Sequence, residues 1–270
     1  MISLRGVGYS YSDTGRPALE SISFDVQQGE WIALVGSNGS GKSTLAKHLN
    51  ALLVPKQGAC FIFGMDSRDE KNLWKIRSSV SMVFQNPENQ IVSTVVEDDV
   101  AFGPENLGLP SEEIRRRVNA ALKITGLTEK ADKAVYTLSG GQKQRLAIAG
   151  ALAMGAQCIV LDEPTAMLAP AGRGEVVDLL KDLHRRGITI VQVTHHAEEL
   201  MDADRALVLD KGRLEWQGAP SSLFHLKDIT ERWGIEVPPM IRLKERLVTA
   251  GLLGTDAPPT AEGIEAGLCL

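Results

Sequence analysis

Cysteine is scarce in this sequence, and its three residues have no spacing suited to a metal site. Cys60, Cys158 and Cys269 are odd in number and lie far apart along the 270-residue chain. Such sparse usage is typical of proteins that work in a reducing cytosol, where disulfides do not persist. We therefore expect neither disulfide bonds nor a structural zinc site.

Long apolar runs and a large excess of one charge are missing as well. No apolar segment approaches the roughly 20 residues that cross a bilayer, and no charged-then-apolar signal segment opens the chain. The formal net charge of -5 gives no electrostatic reason to expect nucleic acid as the main partner. If the protein works at a membrane, other chains must hold it there.

The strongest feature that is present is a glycine-rich segment with the pattern G-x-x-x-x-G-K-S. The apolar run 31–35 precedes it and leucines at helical spacing follow it, so strand, glycine turn and helix come in the order of a P-loop. Backbone N–H groups and a helix N-terminus then point at one place, which fits phosphate. The candidate nucleotide-binding residues are Gly36, Ser37, Asn38, Gly39, Ser40, Gly41, Lys42, Ser43 and Thr44.

Within this loop, residue chemistry suggests separate roles. Lys42 is expected to reach the β- and γ-phosphates of ATP, and Ser43 to hold Mg²⁺ through its hydroxyl. The glycines allow the main chain to approach the phosphates without Cβ clashes.

A second apolar strand, 158–161, ends in two carboxylates. In a P-loop fold Asp162 is expected to hold Mg²⁺, directly or through water. Glu163 then lies beside the γ-phosphate, where a carboxylate can accept a proton from an attacking water. The pair predicts a hydrolytic site.

Two further polar side chains come at predicted strand ends. Gln85 ends the strand 80–85, where a neutral amide can ligate a metal or a water, although a glutamine in that place is more often structural. His195 follows the strand 188–193 and can hydrogen-bond a γ-phosphate oxygen or the attacking water. It is a better candidate than His196, which we expect to begin a helix.

A second anion-binding helix start is predicted at Ser139, Gly140, Gly141 and Gln142, which precede a helical pattern. One nucleotide carries only one triphosphate. The second site therefore suits a nucleotide held by another copy or by a partner.

Tyr9 and Tyr11 lie on a predicted strand end shortly before the P-loop. A tyrosine there could stack on a purine ring, or it could be a half-buried strand aromatic. Residue spacing alone does not decide between the two.

Taken in this order, these motifs closely resemble the ATP-binding-cassette (ABC) ATPases over about residues 1–220, and the segment 138–142 is the most specific of them. The resemblance implies a head-to-tail dimer that sandwiches two ATP molecules, each between one P-loop and the other subunit's residues 139–142. It also implies an adenine-stacking Tyr11, a coupling Gln85, a catalytic base at Glu163 and a switch histidine at His195.

Two segments, 85–90 and 96–106, look like the ATPase subunits of energy-coupling factor transporters, which import vitamins or transition-metal ions. That resemblance implies a homodimer or a heterodimer with a paralogous ATPase, a transmembrane coupling protein and a separate substrate-capture membrane protein. It implies a peripheral position on the cytoplasmic face of the cell membrane. The ATPase subunit of a conventional ABC importer is the alternative. The sequence of this subunit does not identify the transported substrate.

The expected fold class is therefore α/β, a P-loop NTPase of ABC type. We expect a mostly parallel sheet core, an N-terminal antiparallel β subdomain and a helical subdomain at about 86–155, with Ser111 as a helix N-cap and breaks at Pro104, Gly108 and Pro110. Residues 1–220 would form the nucleotide-binding domain, and residues 221–270 a small C-terminal dimerisation appendix.

Other P-loop classes fit less well. An ABC-type DNA-repair or chromosome-structure ATPase needs a long coiled coil between Gln85 and Leu138, and no heptad run occurs there. Translation factors of the ABC type carry two cassettes, whereas this chain has one. A kinase would have no use for the segment 138–142.

One position departs from the family pattern. Ala169 falls at a helix N-cap before Pro170, where ABC ATPases usually carry aspartate. Alanine cannot cap, which forgoes roughly 1 kcal/mol of helix stability. We expect a looser loop there, and ATP turnover that is reduced but not abolished.

Overall fold

The described chain begins with three strands, continues with strands and helices interspersed, and ends with four helices. The structure is a computed structural model that describes residues 1–12, 15–226, 228–258 and 260–268. The strands are β1 (Ile2–Tyr9), β2 (Leu19–Val26), β3 (Trp31–Val35), β4 (Gln57–Ile62), β5 (Met65–Asp66), β6 (Val80–Val83), β7 (Cys158–Asp162), β8 (Thr189–Val193), β9 (Arg205–Asp210) and β10 (Arg213–Gly218). The helices are α1 (Lys42–Leu49), α2 (Glu70–Ser79), α3 (Val96–Asn106), α4 (Ser111–Ile124), α5 (Gly140–Ala153), α6 (Pro170–Arg185), α7 (Ala197–Leu200), α8 (Pro220–Leu223), α9 (Ile229–Trp233), α10 (Pro239–Thr249) and α11 (Ala261–Leu268).

Two sheets organise these elements. The first is antiparallel, in the order β2-β1-β4-β5, and the second is six-stranded, in the order β10-β9-β3-β8-β7-β6. In the second sheet all neighbours are parallel except the terminal hairpin of β9 and β10. The carboxyl ends of β3, β6, β7 and β8 therefore meet at one edge, where ligands of such sheets bind.

The parallel sheet is buried on both faces, which explains its continuous apolar strands. Along β3, Trp31 and Ala33 pack into one apolar cluster while Ile32 and Leu34 pack into another, as the alternation of strand side chains requires. A third cluster lies among α3, α4 and α5 and includes Leu122. The predicted α/β architecture is confirmed.

The C-terminal residues also join the main core. Leu223, Trp233 and Ile241 are buried in the same cluster as Trp31. The sequence predicted short helices here but missed α9. The division into residues 1–220 and 221–270 stays a prediction. Among the described residues, no helix is both long and apolar enough to cross a membrane.

Several predicted boundaries are wrong. Helix α1 ends at Leu49, and Leu52 lies beyond it. Ser111 is the first residue of α4 and not its cap, because Pro110 takes the N-cap position. Gln85 lies two residues beyond β6 rather than at its end.

Pro104 does not break the helix either, because it lies inside α3. Val96, Val100 and Pro104 recur at intervals of four residues and form the buried side of this helix. Packing on that side compensates for the hydrogen bond that a proline removes.

Both cysteines in the described part of the chain are inert by burial. Cys60 and Cys158 have no exposed surface, and burial raises the pKa of each thiol to about 12. Because the thiolate is the nucleophile, we expect no reaction of either thiol with an aromatic disulfide reagent in the folded protein near neutral pH. Absorbance of the released thiolate, before and after addition of denaturant, measures this.

Cys269 lies outside the described residues, so a Cys269→Ser variant supplies the control. The folded Cys269→Ser protein should not react with the reagent, and two reactive thiols per chain should be detected after unfolding. Rapid native-state reaction of this variant would contradict the burial of both sites.

Candidate nucleotide-binding and catalytic site

The P-loop closes at the start of α1 through glycines that no other residue can replace. Gly36 and Gly41 have φ angles of 139° and 107°, in the region that favours glycine. A Cβ atom would lie 2.0 Å from the Leu209 carbonyl oxygen at Gly36 and 2.6 Å from the Ala18 carbonyl oxygen at Gly41. The loop therefore packs closely against neighbouring backbone.

Lys42 lies inside this loop. Its Nζ donates to the carbonyl oxygens of Gly36 (2.9 Å) and Ser37 (3.0 Å), and the residue is 5% exposed. Burial lowers the pKa of Lys42, while the charges of Glu163 and Asp162 act in the opposite direction. A desolvated cation without a hydrogen-bonded carboxylate is well suited to receive an anionic phosphate.

Ser43 and Asp162 meet at the end of β7. The Ser43 hydroxyl donates to the Asp162 carboxylate at 3.0 Å. Burial raises the pKa of Asp162, the Ser43 hydrogen bond lowers it, and the charge of Glu163 raises it further. A hydroxyl and a carboxylate are oxygen ligands of the kind that Mg²⁺ prefers.

The protein residues supply only part of the ligands that a magnesium ion needs. Among the described residues, no three His, Cys, Asp or Glu side chains cluster as a complete metal cage. Mg²⁺ commonly binds through one or two protein oxygens plus phosphates and water. The Ser43 and Asp162 oxygens are consistent with that mode.

Glu163 stands between the other two predicted catalytic residues. Its Oε1 lies 2.6 Å from Nε2 of His195, and its Oε2 accepts from Nε2 of Gln85 at 3.0 Å. Glu163 has a φ of 51°, unusual for a residue other than glycine. Its N–H donates to the Val193 carbonyl oxygen at 3.0 Å. Backbone strain of this kind is commonly found at functional sites.

The two tyrosines differ in exposure and in their contacts. Tyr9 is half-buried and packs edge-on against His48, with 4.9 Å between ring centroids. Tyr11 is 64% exposed, and its hydroxyl lies 3.1 Å from the hydroxyl of Thr44 in the P-loop. Tyr11 is therefore the more exposed of the two rings and the one that contacts the P-loop, and stacking on a base stays a prediction.

Residues 139–142 form a capped helix start. The Ser139 hydroxyl accepts from the Gln142 N–H at 3.3 Å, and the Gln142 side-chain oxygen accepts from the Ser139 N–H at 3.0 Å. This capping box uses the N–H groups of Ser139 and Gln142, and not those of Gly140 and Gly141. Within the described ranges, no hydrogen bond or ion pair joins this segment to the P-loop of the same chain.

A buried carboxylate that the sequence did not predict bonds to residues that lie near Glu163 and His195 in the chain. Glu199 in α7 is 4% exposed and bonds to side chains of Thr165, Gln192 and Thr194. One signal was available in the sequence, since Gln192 is a large polar residue within the buried strand β8.

The start of α6 confirms the expected lack of a cap. Ala169 occupies the N-cap without a side-chain hydrogen bond, and Pro170 is the first helical residue. We expect Ala169→Asp to raise the free energy of unfolding by about 1 kcal/mol, which corresponds to a Tm increase of roughly 2–4 °C for a domain of this size. Thermal denaturation checks the stability, and a phosphate-release assay checks whether ATP turnover rises with it.

Ala169→Leu is the matched control, because leucine cannot accept the hydrogen bond. Equal stability and equal turnover in the Asp variant and the wild type would show that the missing cap has no consequence.

The fold and this arrangement of phosphate loop, strand-end carboxylates and glycine-rich helix start define an ATPase of the ABC class. The sequence profile of the family described as "ABC transporter" matches residues 19–166. The chain belongs to that family, and it is an ATPase.

Similar proteins narrow the assignment. The energy-coupling factor transporter ATP-binding protein EcfA1 of Clostridium novyi (strain NT) is 49% identical over 256 residues, which are 93% of this chain and 91% of that protein. Within the ABC family, this chain belongs to the energy-coupling factor transporter ATP-binding proteins.

Two solved structures of ABC proteins have a fold similar to that of this chain. The structure of cbiO1 from Clostridium perfringens, described as part of the ABC transporter complex cbiONQ, matches with a TM-score of 0.79 and 38% identity over 93% of this chain and 96% of that one. The ATP-binding cassette MJ0796, described as a dimer in a post-hydrolysis state bound to ADP and Pi, matches with a TM-score of 0.72 and 31% identity over 82% of this chain and 99% of that one.

Proposed function

We propose that this chain binds and hydrolyses ATP as a subunit of an energy-coupling factor importer for vitamins or transition-metal ions. The observation that carries the proposal is the position of Glu163, which contacts Gln85 and His195, follows Asp162 at the end of β7 and is close enough to Lys42, at the start of α1, to act on its pKa. Relatedness to energy-coupling factor ATP-binding proteins supports the transport assignment.

In this proposal the P-loop residues bind the triphosphate of ATP. Lys42 contacts the β- and γ-phosphates, the loop N–H groups surround them, and the exposed ring of Tyr11 stacks on adenine. Ser43, Asp162 and Gln85 would hold Mg²⁺, which would neutralise charge on the phosphate oxygens. The Ser43 to Asp162 contact of 3.0 Å supports this assignment.

For hydrolysis, Glu163 accepts a proton from the attacking water. His195 orients the water or a γ-phosphate oxygen through Nε2, the atom that contacts Glu163 in this structure. Gln85 links the site to the loop after β6. A carboxylate poised as general base contributes roughly 10²- to 10⁴-fold to such a rate.

Dimerisation completes the proposed site. Ser139 and Gly140 are exposed at the start of α5, where they are accessible to a nucleotide held by a second copy or a paralogue. The dimeric cassette MJ0796 supports this arrangement. ATP binding closes the dimer, hydrolysis reopens it, and residues 221–270 add dimer contacts.

The membrane partners in this proposal are a transmembrane coupling protein and a substrate-capture membrane protein, with the chain peripheral on the cytoplasmic face. A cavity of about 310 Å³ next to the Gln85 loop supports a docking role. It is lined largely by apolar groups, including Phe84, Phe102 and Met154. The ATPase of a conventional ABC importer remains the second candidate, favoured by the general family match.

Affinity co-purification of the tagged chain from detergent-solubilised native membranes tests the proposal, with an untagged strain as the control. Mass spectrometry should find a second cassette ATPase, one coupling membrane protein and several small substrate-capture proteins. Recovery of two large permease subunits with a soluble binding protein would instead assign the chain to a conventional importer.

A further inference from the structure

Glu199 is a buried carboxylate that receives three donors. Its Oε1 accepts from the Thr165 hydroxyl at 2.6 Å. Its Oε2 accepts from the Gln192 amide at 2.6 Å and from the Thr194 hydroxyl at 2.7 Å. All four residues are at most 4% exposed. A carboxylate paired in this way is held in one position, because each of these bonds would be costly to leave unmade.

The three donors come from two different segments. Thr165 lies two residues after Glu163, with the rigid Pro164 between them. Thr194 immediately precedes His195 at the end of β8. Glu199 therefore joins the segments that carry the two members of the Glu163–His195 pair.

Thr194 also fixes the backbone on both sides of His195. Its hydroxyl donates to Glu199 and accepts from the His196 N–H at 3.0 Å. Its own N–H donates to the Leu34 carbonyl oxygen at 3.2 Å, which continues the pairing of β8 with β3. The imidazole of His195 thus projects from a backbone whose position depends on the Thr194 hydroxyl.

We propose that Glu199 is a positioning residue for ATP hydrolysis, which fixes the two backbone segments that carry Glu163 and His195 by joining the loop after β7 to the end of β8. This inference rests on the proposed function, since it assumes that the pair carries out hydrolysis. Glu199 itself touches neither nucleotide nor water in the reaction.

A carboxylate suits this role better than an amide. All three groups that face Glu199 are donors, and an ionised carboxylate is a pure acceptor. Glutamine has nearly the same shape, but its NH₂ group reverses the direction of one bond, because the Thr165 hydroxyl must then accept instead of donate, and the other two bonds lose their charged acceptor. Glu199→Gln is therefore a matched probe that changes the hydrogen bonding with little change in volume.

The test compares steady-state ATPase activity of the full chain, in the complex that co-purifies with it, for Glu199→Gln and Thr165→Val. Glu198→Gln is the control, because Glu198 is the exposed neighbour on the same helix. For both network variants we expect kcat to fall roughly 10- to 100-fold, the scale of a small misplacement of catalytic groups. The KM for ATP should stay within about twofold.

Two further measurements separate positioning from folding. Thr165→Ser, which retains the hydroxyl, should recover most of the kcat that Thr165→Val loses. The double variant Glu199→Gln with Thr165→Val should be little slower than either single variant, because both changes break the same bridge.

Wild-type kcat in both Glu199→Gln and Thr165→Val would overturn the inference. So would a loss of activity that merely follows a lower folded fraction, measured by circular dichroism, or a Thr165→Ser variant as slow as Thr165→Val. Failure of the proposed function has a different signature, in which Glu163→Gln hydrolyses ATP as fast as the wild type.

Discussion

Replacement of Glu163 by glutamine is expected to lower the kcat of ATP hydrolysis by roughly 10²- to 10⁴-fold, the contribution of a well-placed general base. Glutamine keeps the shape and the hydrogen-bonding oxygen, so the contact from Gln85 at 3.0 Å can persist. It cannot take a proton from water. A phosphate-release assay measures kcat, and a fluorescent ATP analogue should show binding close to that of the wild type.

Glu129→Gln controls for the loss of one negative charge, since Glu129 is exposed and lies in the short 3-10 helix Thr128–Lys130. That variant should hydrolyse ATP normally. Near-normal turnover in Glu163→Gln would remove this residue from the proton-transfer step and leave His195 as the remaining candidate.

Lys42→Met is expected to weaken ATP binding by roughly 10- to 100-fold, because charge-assisted hydrogen bonds are each worth about 1.5–3 kcal/mol. The folded chain should tolerate the change. Burial lowers the pKa of Lys42, which means that the nucleotide-free protein is not stabilised by keeping this charge desolvated. The expected result is a nucleotide-free Tm similar to that of the wild type and a much smaller Tm increase on adding MgATP.

Differential scanning fluorimetry over a range of ATP concentrations measures both quantities, since ligand stabilisation follows the ratio of ligand concentration to Kd. Lys75→Met is the control, because Lys75 is exposed on α2. If Lys42→Met and Lys75→Met showed the same ATP-dependent Tm increase, Lys42 would have no part in phosphate binding.

Local spacing was enough to predict much of this molecule. The P-loop, the carboxylates at the end of β7 and the uncapped start of α6 each depend on neighbouring residues, and the structure places them where the sequence indicated. The convergence of Gln85, Glu163 and His195 followed from parallel strands ending at one edge. Their roles in catalysis stay predictions.

What sequence reasoning missed depends on contacts between distant residues. Thr165 and Glu199 are 34 positions apart, and no local pattern links them. The strand order also could not be read from spacing, since β3 lies between β8 and β9. Pro104 was misjudged because its place on the buried side of α3 outweighs its low helix propensity.

The uncapped start of α6 has a further consequence for local opening. Ala169 offers no cap, and Gly172 and Gly174 fall within the first two turns. The missing cap lowers the local free energy of opening by roughly 1 kcal/mol and each glycine by about 0.5–1 kcal/mol. Backbone amides there should exchange with deuterated solvent sooner than those at the start of α5, which has a complete capping box. Helices α5 and α6 each have two glycines within their first two turns, so the cap is what makes their protection from solvent differ, and a single exchange experiment can observe both.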